Sequence, residues 1–142
     1  MPDPGNSRDI PPVTPSPLIL CIDDEALGLK IRKAVLEKEG YRVLTAADGS
    51  TGLSLFINQP VEGVILDYYM PGMDGGQVAG AMRKQRPEVP ILLLSAYINL
   101  PSEVVALVDF TVLKGEGPNE LLMKLRRMLA GPQCETGSEG AS

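Results

Sequence analysis

The 142-residue sequence contains no histidine and only two cysteines. The lack of histidine excludes Ser-His-Asp and Cys-His catalysis, zinc sites with imidazole ligands, and a phosphohistidine carried by the chain itself. Cys21 lies in an apolar run and Cys134 in a polar one, so neither a zinc site nor a disulfide framework is expected. A chain without disulfides is typical of the cytoplasm, and we expect it there.

Basic residues are also few: 13 lysines and arginines stand against 18 aspartates and glutamates, which gives a formal net charge of −5. Such a chain repels nucleic acid and anionic membranes unless its basic residues cluster. No large basic cluster is present, so we predict no contact with nucleic acid or with a membrane. The longest apolar runs, Leu18–Ile22 and Ile91–Leu100, are too short to span a bilayer.

Proline and glycine divide the chain into three parts. Residues 1–17 hold six of the 13 prolines, which predicts an extended and flexible N-terminal arm. Residues 131–142 are polar and include three glycines, which predicts a flexible C-terminal tail. The remaining residues, 18–130, have the size of one domain, and we expect a stand-alone protein without an output domain.

Within residues 18–130, short apolar runs alternate with helical patterns. Strands are predicted over residues 18–22, 41–46, 64–66, 91–94 and 110–113. Helices are predicted over residues 25–39, from an N-cap at Asp48, over 74–86, over 102–107, and along the apolar stripe 121–129. This alternation predicts an α/β fold, a doubly wound parallel (βα)5 sheet, which binds ligands at the carboxyl ends of its strands.

Polar or charged side chains follow four of the predicted strands at their carboxyl ends. They are Asp23, Asp24 and Glu25 after the first strand, Asp67 after the third, Ser95 after the fourth and Lys114 after the fifth. Crowded carboxylates raise one another's pKa unless a cation is present, and oxygen ligands of this kind suit Mg²⁺ or Mn²⁺. A lone aspartate would more simply be a helix cap, but the shared edge favours a site.

A carboxylate beside a metal can attack phosphorus and form an aspartyl phosphate. At this edge Asp67 is the candidate nucleophile, Lys114 can pair with a phosphoryl oxygen, and Ser95 can donate a hydrogen bond to another. Singly, Ser95 and Lys114 would be ordinary surface residues. Together with the acids they form a complete cradle for a phosphoryl group.

Four segments carry a resemblance to the response-regulator receiver domains of bacterial two-component signalling. They are LILCIDDE at 18–25, VILDYYMPGMDG at 64–75, LLLSA at 92–96 and VLKG at 112–115. The resemblance implies a flavodoxin-like sheet with strand order 2-1-3-4-5. It also implies that Asp67 is the phosphoacceptor, that Asp24 binds Mg²⁺ directly and Asp23 through water, and that the backbone carbonyl of Tyr69 is a further ligand.

The same resemblance implies that Ser95 is the switch hydroxyl and that Lys114 holds the phosphoryl group. The implied partners are a histidine kinase or phosphotransfer protein and an unknown downstream protein, with the chain itself a monomer or weak dimer. The resemblance implies that the chain is not an enzyme and catalyses at most its own slow dephosphorylation. We expect that reaction to be slower than usual, because Tyr69 and Tyr97 would flank the phosphoryl group and obstruct water.

Three features depart from the family pattern. Gly115 follows the lysine where the family has a proline in a cis peptide. Thr111 stands where the family has its switch aromatic, and Phe110 lies one residue away. The stretch from Ser95 to Lys114 is shorter than usual, so the helix over 102–107 should be short or irregular, and the standard receiver dimer is less expected.

The sequence also allows two other functions. One is a receiver-fold binding module that works without phosphorylation, which the departures at Thr111 and Gly115 would allow. The other is an aspartate-nucleophile phosphatase. Such phosphatases place a second acid two residues after the nucleophile, where this sequence has Tyr69, so this function is the less favoured one.

Overall fold

The structure, a computed structural model, describes residues 16–131. Most of the predicted arm over residues 1–17 and of the predicted tail over 131–142 lies outside the described residues, as does Cys134. None of the helices formed by residues 16–131 combines the length and apolar character that crossing a bilayer requires.

Five parallel strands form one sheet in the order β2-β1-β3-β4-β5. The strands are β1 (Leu18–Ile22), β2 (Arg42–Ala46), β3 (Gly63–Asp67), β4 (Ile91–Ser95) and β5 (Phe110–Leu113). The helices are α1 (Ala26–Lys38), α2 (Gly49–Asn58), α3 (Gly75–Gln85), α4 (Ser102–Val105) and α5 (Pro118–Ala130), with a 3₁₀ turn over Lys114–Glu116. This confirms the predicted doubly wound sheet and its strand order.

Both faces of the sheet are covered, so its central strands are buried along their whole length. Alternate side chains of β1 enter different cores, as the period of a strand requires. Leu20 packs with the residues of α2 and α3, whereas Ile19 packs with those of α1 and α5. The continuous apolar runs in the sequence therefore reflect burial from two sides.

The ends of the helices follow from local chemistry. The predicted N-cap Asp48 accepts a hydrogen bond from the backbone N–H of Thr51. Asp74 caps α3 in a capping box with Gln77 and is not itself helical, which moves the start of that helix to Gly75. Gly40 follows α1 with a φ of 96°, a left-handed conformation that glycine adopts without strain.

Helix α4 is short, as predicted, but it ends at Val105 and not at residue 107. The reason is a contact from another helix. The Nε of Arg83 on α3 donates to the carbonyl of Leu107 at 2.8 Å, and its Nη2 pairs with Asp109 at 2.6 Å. These bonds hold the chain in a tight turn that leads directly into β5.

Candidate functional site

The predicted acidic residues meet at the carboxyl edge of the sheet. Asp23 follows β1 and Asp67 ends β3, and these strands are hydrogen-bonded neighbours in which Ile22 pairs with Leu66. One carboxylate oxygen from each of Asp23, Asp24 and Asp67 lies within 4.8 Å of the others. Asp23 and Asp67 are buried, whereas Asp24 is exposed, so this acid cluster opens to solvent on the side of Asp24.

Lys114 reaches into the acid cluster from the end of β5. Its Nζ lies 3.1 Å from Oδ1 of Asp67 and 3.5 Å from Oδ2 of Asp23, with Oε1 of Glu25 at 3.9 Å. Burial by itself lowers the pKa of Lys114, but the hydrogen bond to Asp67 and the surrounding carboxylates together raise it by more, so the net pKa lies above its ordinary value. The ammonium group therefore remains charged at neutral pH.

The carboxyl group of Asp67 has a raised pKa. Burial raises its pKa from 3.8 to about 6 and outweighs the hydrogen bond from Lys114, which lowers it. The neighbouring charge of Asp23 raises it as well. Above pH 6 the group is thus ionised, although at a cost in free energy that a cation or a covalent bond could relieve.

A second cation, which the sequence analysis missed, is Arg32. Its Nη1 lies 3.2 Å from Oδ2 of the fully buried Asp23, and its own side chain is 13% exposed. Arg32 lies nine residues after Asp23, within α1, where the apolar periodicity of the sequence indicated only a helix. The one local signal was Gly28, a glycine inside the helix and one turn before Arg32.

The loop after Asp67 is fixed by a close approach of backbones. The N–H of Gly75 donates to the carbonyl of Tyr68 at 2.7 Å. A Cβ atom at position 75 would lie 2.8 Å from the carbonyl oxygen of Asp67 and 2.7 Å from Cα of Tyr68, which no real side chain tolerates. Asp74 starts the helix and Gly75 lets its first turn touch β3, which explains this part of the sequence motif physically.

Ser95 lies buried at the end of β4, at the predicted edge, but its hydroxyl is occupied within its own turn. Oγ accepts from the N–H of Tyr97 at 2.9 Å and donates to the carbonyl of Tyr97 at 3.0 Å. Among residues 16–131 it makes no hydrogen bond to the acid cluster or to Lys114. Tyr69 and Tyr97 are 73% and 60% exposed, so both residues lie at the surface of this edge.

Thr111, which stands where the family has its switch aromatic, lies beside a groove. Thr111 lines a groove of about 220 Å³ together with Ser95 and Tyr97. Phe110 packs into the opposite core, with the guanidinium of Arg127 5.9 Å from its ring centre. Neighbouring residues of a strand point to opposite faces of the sheet, so Phe110 does not occupy the place of the family's switch aromatic.

The turn after β5 also shows what replaces the family's proline. Lys114, Gly115 and Glu116 form a 3₁₀ turn, and residues 16–131 contain no cis peptide bond. The side chain of Glu116 accepts from the N–H of Leu113 at 3.3 Å. Lys114 reaches Asp67 from this turn.

The acid cluster fits a hard divalent cation. It offers three carboxylates within 4.8 Å of one another, and it includes no thiol or imidazole group that would favour a softer metal. Asp23 and Asp67 are held by cationic side chains, and exposed Asp24 gives access from solvent. The residues at hand therefore suit Mg²⁺ or Mn²⁺.

Comparison with known proteins agrees with this geometry. Residues 19–126 match the family model described as response regulator receiver domain. The transcriptional regulatory protein YbdJ of Bacillus subtilis is 35% identical over 114 residues, which are 78% of this chain and 50% of that protein. The chain thus spans about half the length of the curated relatives it matches, several of which are named as transcriptional regulators.

Solved structures of receiver domains superimpose closely. A CheY-like receiver domain protein of Methanospirillum hungatei gives a TM-score of 0.78 at 29% identity, covering 84% of this chain and 98% of that one. The response regulator TrrA of Thermotoga maritima, solved in complex with Mg²⁺-BeF, gives 0.75 at 35% identity, covering 79% and 98%. TrrA has also been solved in complex with the histidine kinase ThkA. This chain belongs to the receiver-domain family of two-component response regulators, which are signalling proteins and not classical enzymes.

Proposed function

We propose that this protein is a phosphoacceptor in two-component signalling, in which Asp67 receives a phosphoryl group from a histidine kinase or a phosphotransfer protein. The observation that carries the proposal is the acid cluster with a lysine inside it: three carboxylates within 4.8 Å and the Nζ of Lys114 at 3.1 Å from Asp67. Phosphoryl transfer requires chiefly position and charge stabilisation, which this arrangement offers.

In the proposed transfer, a carboxylate oxygen of Asp67 attacks the phosphorus of the donor's phosphohistidine. The new P–O bond forms as the P–N bond breaks, and the donor's imidazole nitrogen keeps the electron pair. The attacking group must be ionised, which holds above its pKa of about 6. Once the negative phosphoryl group is attached, Lys114 can turn from the carboxylate to a phosphoryl oxygen, because its Nζ already lies 3.1 Å from Oδ1 of Asp67.

Asp23, Asp24 and Asp67, with the backbone carbonyl of Tyr69, would hold Mg²⁺ or Mn²⁺ in this proposal. When bound, the cation neutralises negative charge on the phosphoryl oxygens. Lys114 and Arg32 already offset part of the charge of the buried carboxylates, so the site can persist both with and without bound metal.

Ser95 would signal the new group to the rest of the protein. To donate to a phosphoryl oxygen, its hydroxyl must leave the carbonyl of Tyr97, to which it now donates at 3.0 Å. That exchange would alter the turn over residues 95–97 and the groove beside Thr111. We propose that a downstream protein reads this change, that the chain is a monomer or weak dimer, and that it acts in the cytoplasm.

The test is intact-mass spectrometry after incubation with acetyl phosphate, with and without Mg²⁺. We expect one phosphoryl adduct of the wild-type protein that needs Mg²⁺, and none in Asp67→Asn. The matched control is Asp109→Asn, which removes an acid from a structural ion pair outside the acid cluster and should keep the adduct. Hydroxylamine, which cleaves acyl phosphates, should release the group.

A second function would follow from the opposite result. If no adduct forms with acetyl phosphate or with a phosphorylated histidine kinase, the chain is a binding module of receiver fold that works without phosphorylation. The observations that would then explain it are Thr111 beside the groove and Ser95 bonded within its own turn.

A further inference from the structure

We infer that Arg32 is a built-in counter-ion of the acid cluster, one that sets the affinity of the site for divalent metal. It would do so by neutralising Asp23 from the side of α1. The inference rests on the proposed function, because it assumes that the acid cluster binds Mg²⁺. It assigns a positioning and tuning role to a residue outside the sequence motifs of the site.

The contacts fix Asp23 from three directions. Its Oδ1 accepts the N–H of Glu25 at 3.0 Å, and its Oδ2 lies 3.2 Å from Nη1 of Arg32 and 3.5 Å from Nζ of Lys114. Asp23 is fully buried, so these groups replace the water that would otherwise solvate its charge. Arg32 thus orients one carboxylate of the proposed metal site and also neutralises it.

The helix leaves room for this contact at Gly28. Side chains of a helix point toward its N-terminus, so Arg32 lies over position 28, one turn earlier. A Cβ atom on Gly28 would already meet Nη2 of Arg32 at 3.8 Å and Oδ2 of Asp23 at 3.9 Å. An alanine there would make only ordinary contacts, whereas a longer side chain would occupy the path of the guanidinium, which gives a reason for a small residue at this position.

The charge balance gives the direction of the effect. Asp23, Asp24 and Asp67 contribute −3, and Lys114 and Arg32 together return +2, which leaves −1 for these five groups. Removing Arg32 would leave −2. An entering cation is repelled by a positive charge in contact with one of its ligands, so Arg32 should weaken metal binding and stabilise the metal-free protein.

The neighbouring residue Lys33 provides a matched control. Lys33 carries the same charge on the same helix, but its Nζ pairs with Glu37 at 2.8 Å and its side chain is 41% exposed. Arg32→Met and Lys33→Met therefore change the net charge equally, and only the first removes a charge that touches Asp23.

The experiment titrates Mg²⁺ alone into each folded variant and follows the backbone amide NMR signals of residues 67–70. Relative to wild type, Arg32→Met should bind Mg²⁺ about fivefold to tenfold more tightly, and Lys33→Met should change the affinity less than about twofold. Arg32→Lys should stay near wild type. Arg32→Gln keeps a hydrogen-bond donor without the charge, so it should bind as tightly as Arg32→Met and serves if that variant does not fold.

Thermal unfolding without metal is the second readout, and Arg32→Met should unfold at a lower temperature than Lys33→Met. Equal or weaker Mg²⁺ binding by both Arg32→Met and Arg32→Gln would overturn the inference while leaving the proposed function intact. Wild-type signals that do not respond to Mg²⁺, or that respond equally in Asp24→Asn, would overturn both.

Discussion

Removing the negative charge of Asp67 should stabilise the metal-free protein, although the residue is the proposed phosphoacceptor. The buried carboxylate is ionised at neutral pH beside Asp23, and burial raises its pKa from 3.8 to about 6. An asparagine side chain has nearly the shape of an aspartate side chain but carries no charge. Asp67→Asn therefore removes a group that the folded state disfavours in its ionised form.

The size of the effect follows from the pKa. A rise from 3.8 to about 6 corresponds to about 3 kcal/mol at 1.36 kcal/mol per pKa unit. Screening by solvent on the open side of the acid cluster lowers this, so we expect a gain of about 1–2 kcal/mol in the free energy of unfolding at pH 7.5. Lys114 loses its bond to Asp67 but keeps Asp23 within 3.5 Å.

The pH dependence has a definite sign. Between about pH 4 and pH 6 the folded wild-type protein holds a proton on Asp67 that the unfolded chain releases, so its stability falls as the pH rises through this window. Asp67→Asn has no carboxyl group at this position, so its stability should not fall in this way. The difference in stability between the two proteins should be near zero at pH 4, grow up to about pH 6 and stay constant above it.

The assay is urea unfolding of both proteins in EDTA from pH 4 to pH 8, followed by circular dichroism. Glu88→Gln, which removes an exposed charge, is the control and should change stability by less than about 0.5 kcal/mol. Added Mg²⁺ should reduce the difference in stability between the two proteins, since it binds the wild-type site more strongly. An Asp67→Asn protein that is less stable than wild type at pH 7.5, or equally more stable at every pH, would refute the reasoning.

Three further predictions address the surroundings of the site. Gly75→Ala should destabilise the protein by about 2 kcal/mol, because its Cβ meets backbone atoms at 2.7 Å and 2.8 Å, whereas Gly80→Ala, with its nearest contact at 3.9 Å, should be neutral or stabilising in urea unfolding. Arg83→Met should cost about 2 kcal/mol, because the partly buried carbonyls of Val89 and Leu107 lose their donor and the turn before β5 loses a contact, while Lys84→Met should cost less than about 0.5 kcal/mol in the same assay. Tyr97→Ala should speed loss of the phosphoryl group from the phosphorylated protein, measured as decay of the mass adduct, and an unchanged or slower decay would contradict the proposed shielding by the ring.

Elements whose causes lie within a few residues were predictable from the sequence. The run Leu18–Ile22 forms β1 with the predicted bounds, because a continuous apolar run of this length fits a strand covered on both faces. Asp48 caps α2, since its side chain bonds to an N–H three residues along the chain. The meeting of Asp23 and Asp67 was also predictable, because parallel strands bring their carboxyl ends to one edge.

Elements whose causes lie far apart in the chain could not be predicted. The end of α4 at Val105 depends on Arg83, which comes from another helix and bonds to the turn after α4. The hydroxyl of Ser95 is a local exception, because its bonds lie within residues 95–97 and yet its position at a strand end did not indicate them. The face taken by Phe110 depends on the register of β5 against β4.

Local sequence was sufficient to predict the sheet, its strand order through the family resemblance, and the acids and the lysine that share its edge. These features depend on apolar periodicity and on motifs, both of which are local. By contrast, the contacts of Lys114 with two carboxylates and of Arg32 with Asp23 arise from the packing of different elements and could not be predicted. Ion pairs depend on distances of a few ångströms between side chains from different elements, and those distances exist only after the helices have packed on the sheet.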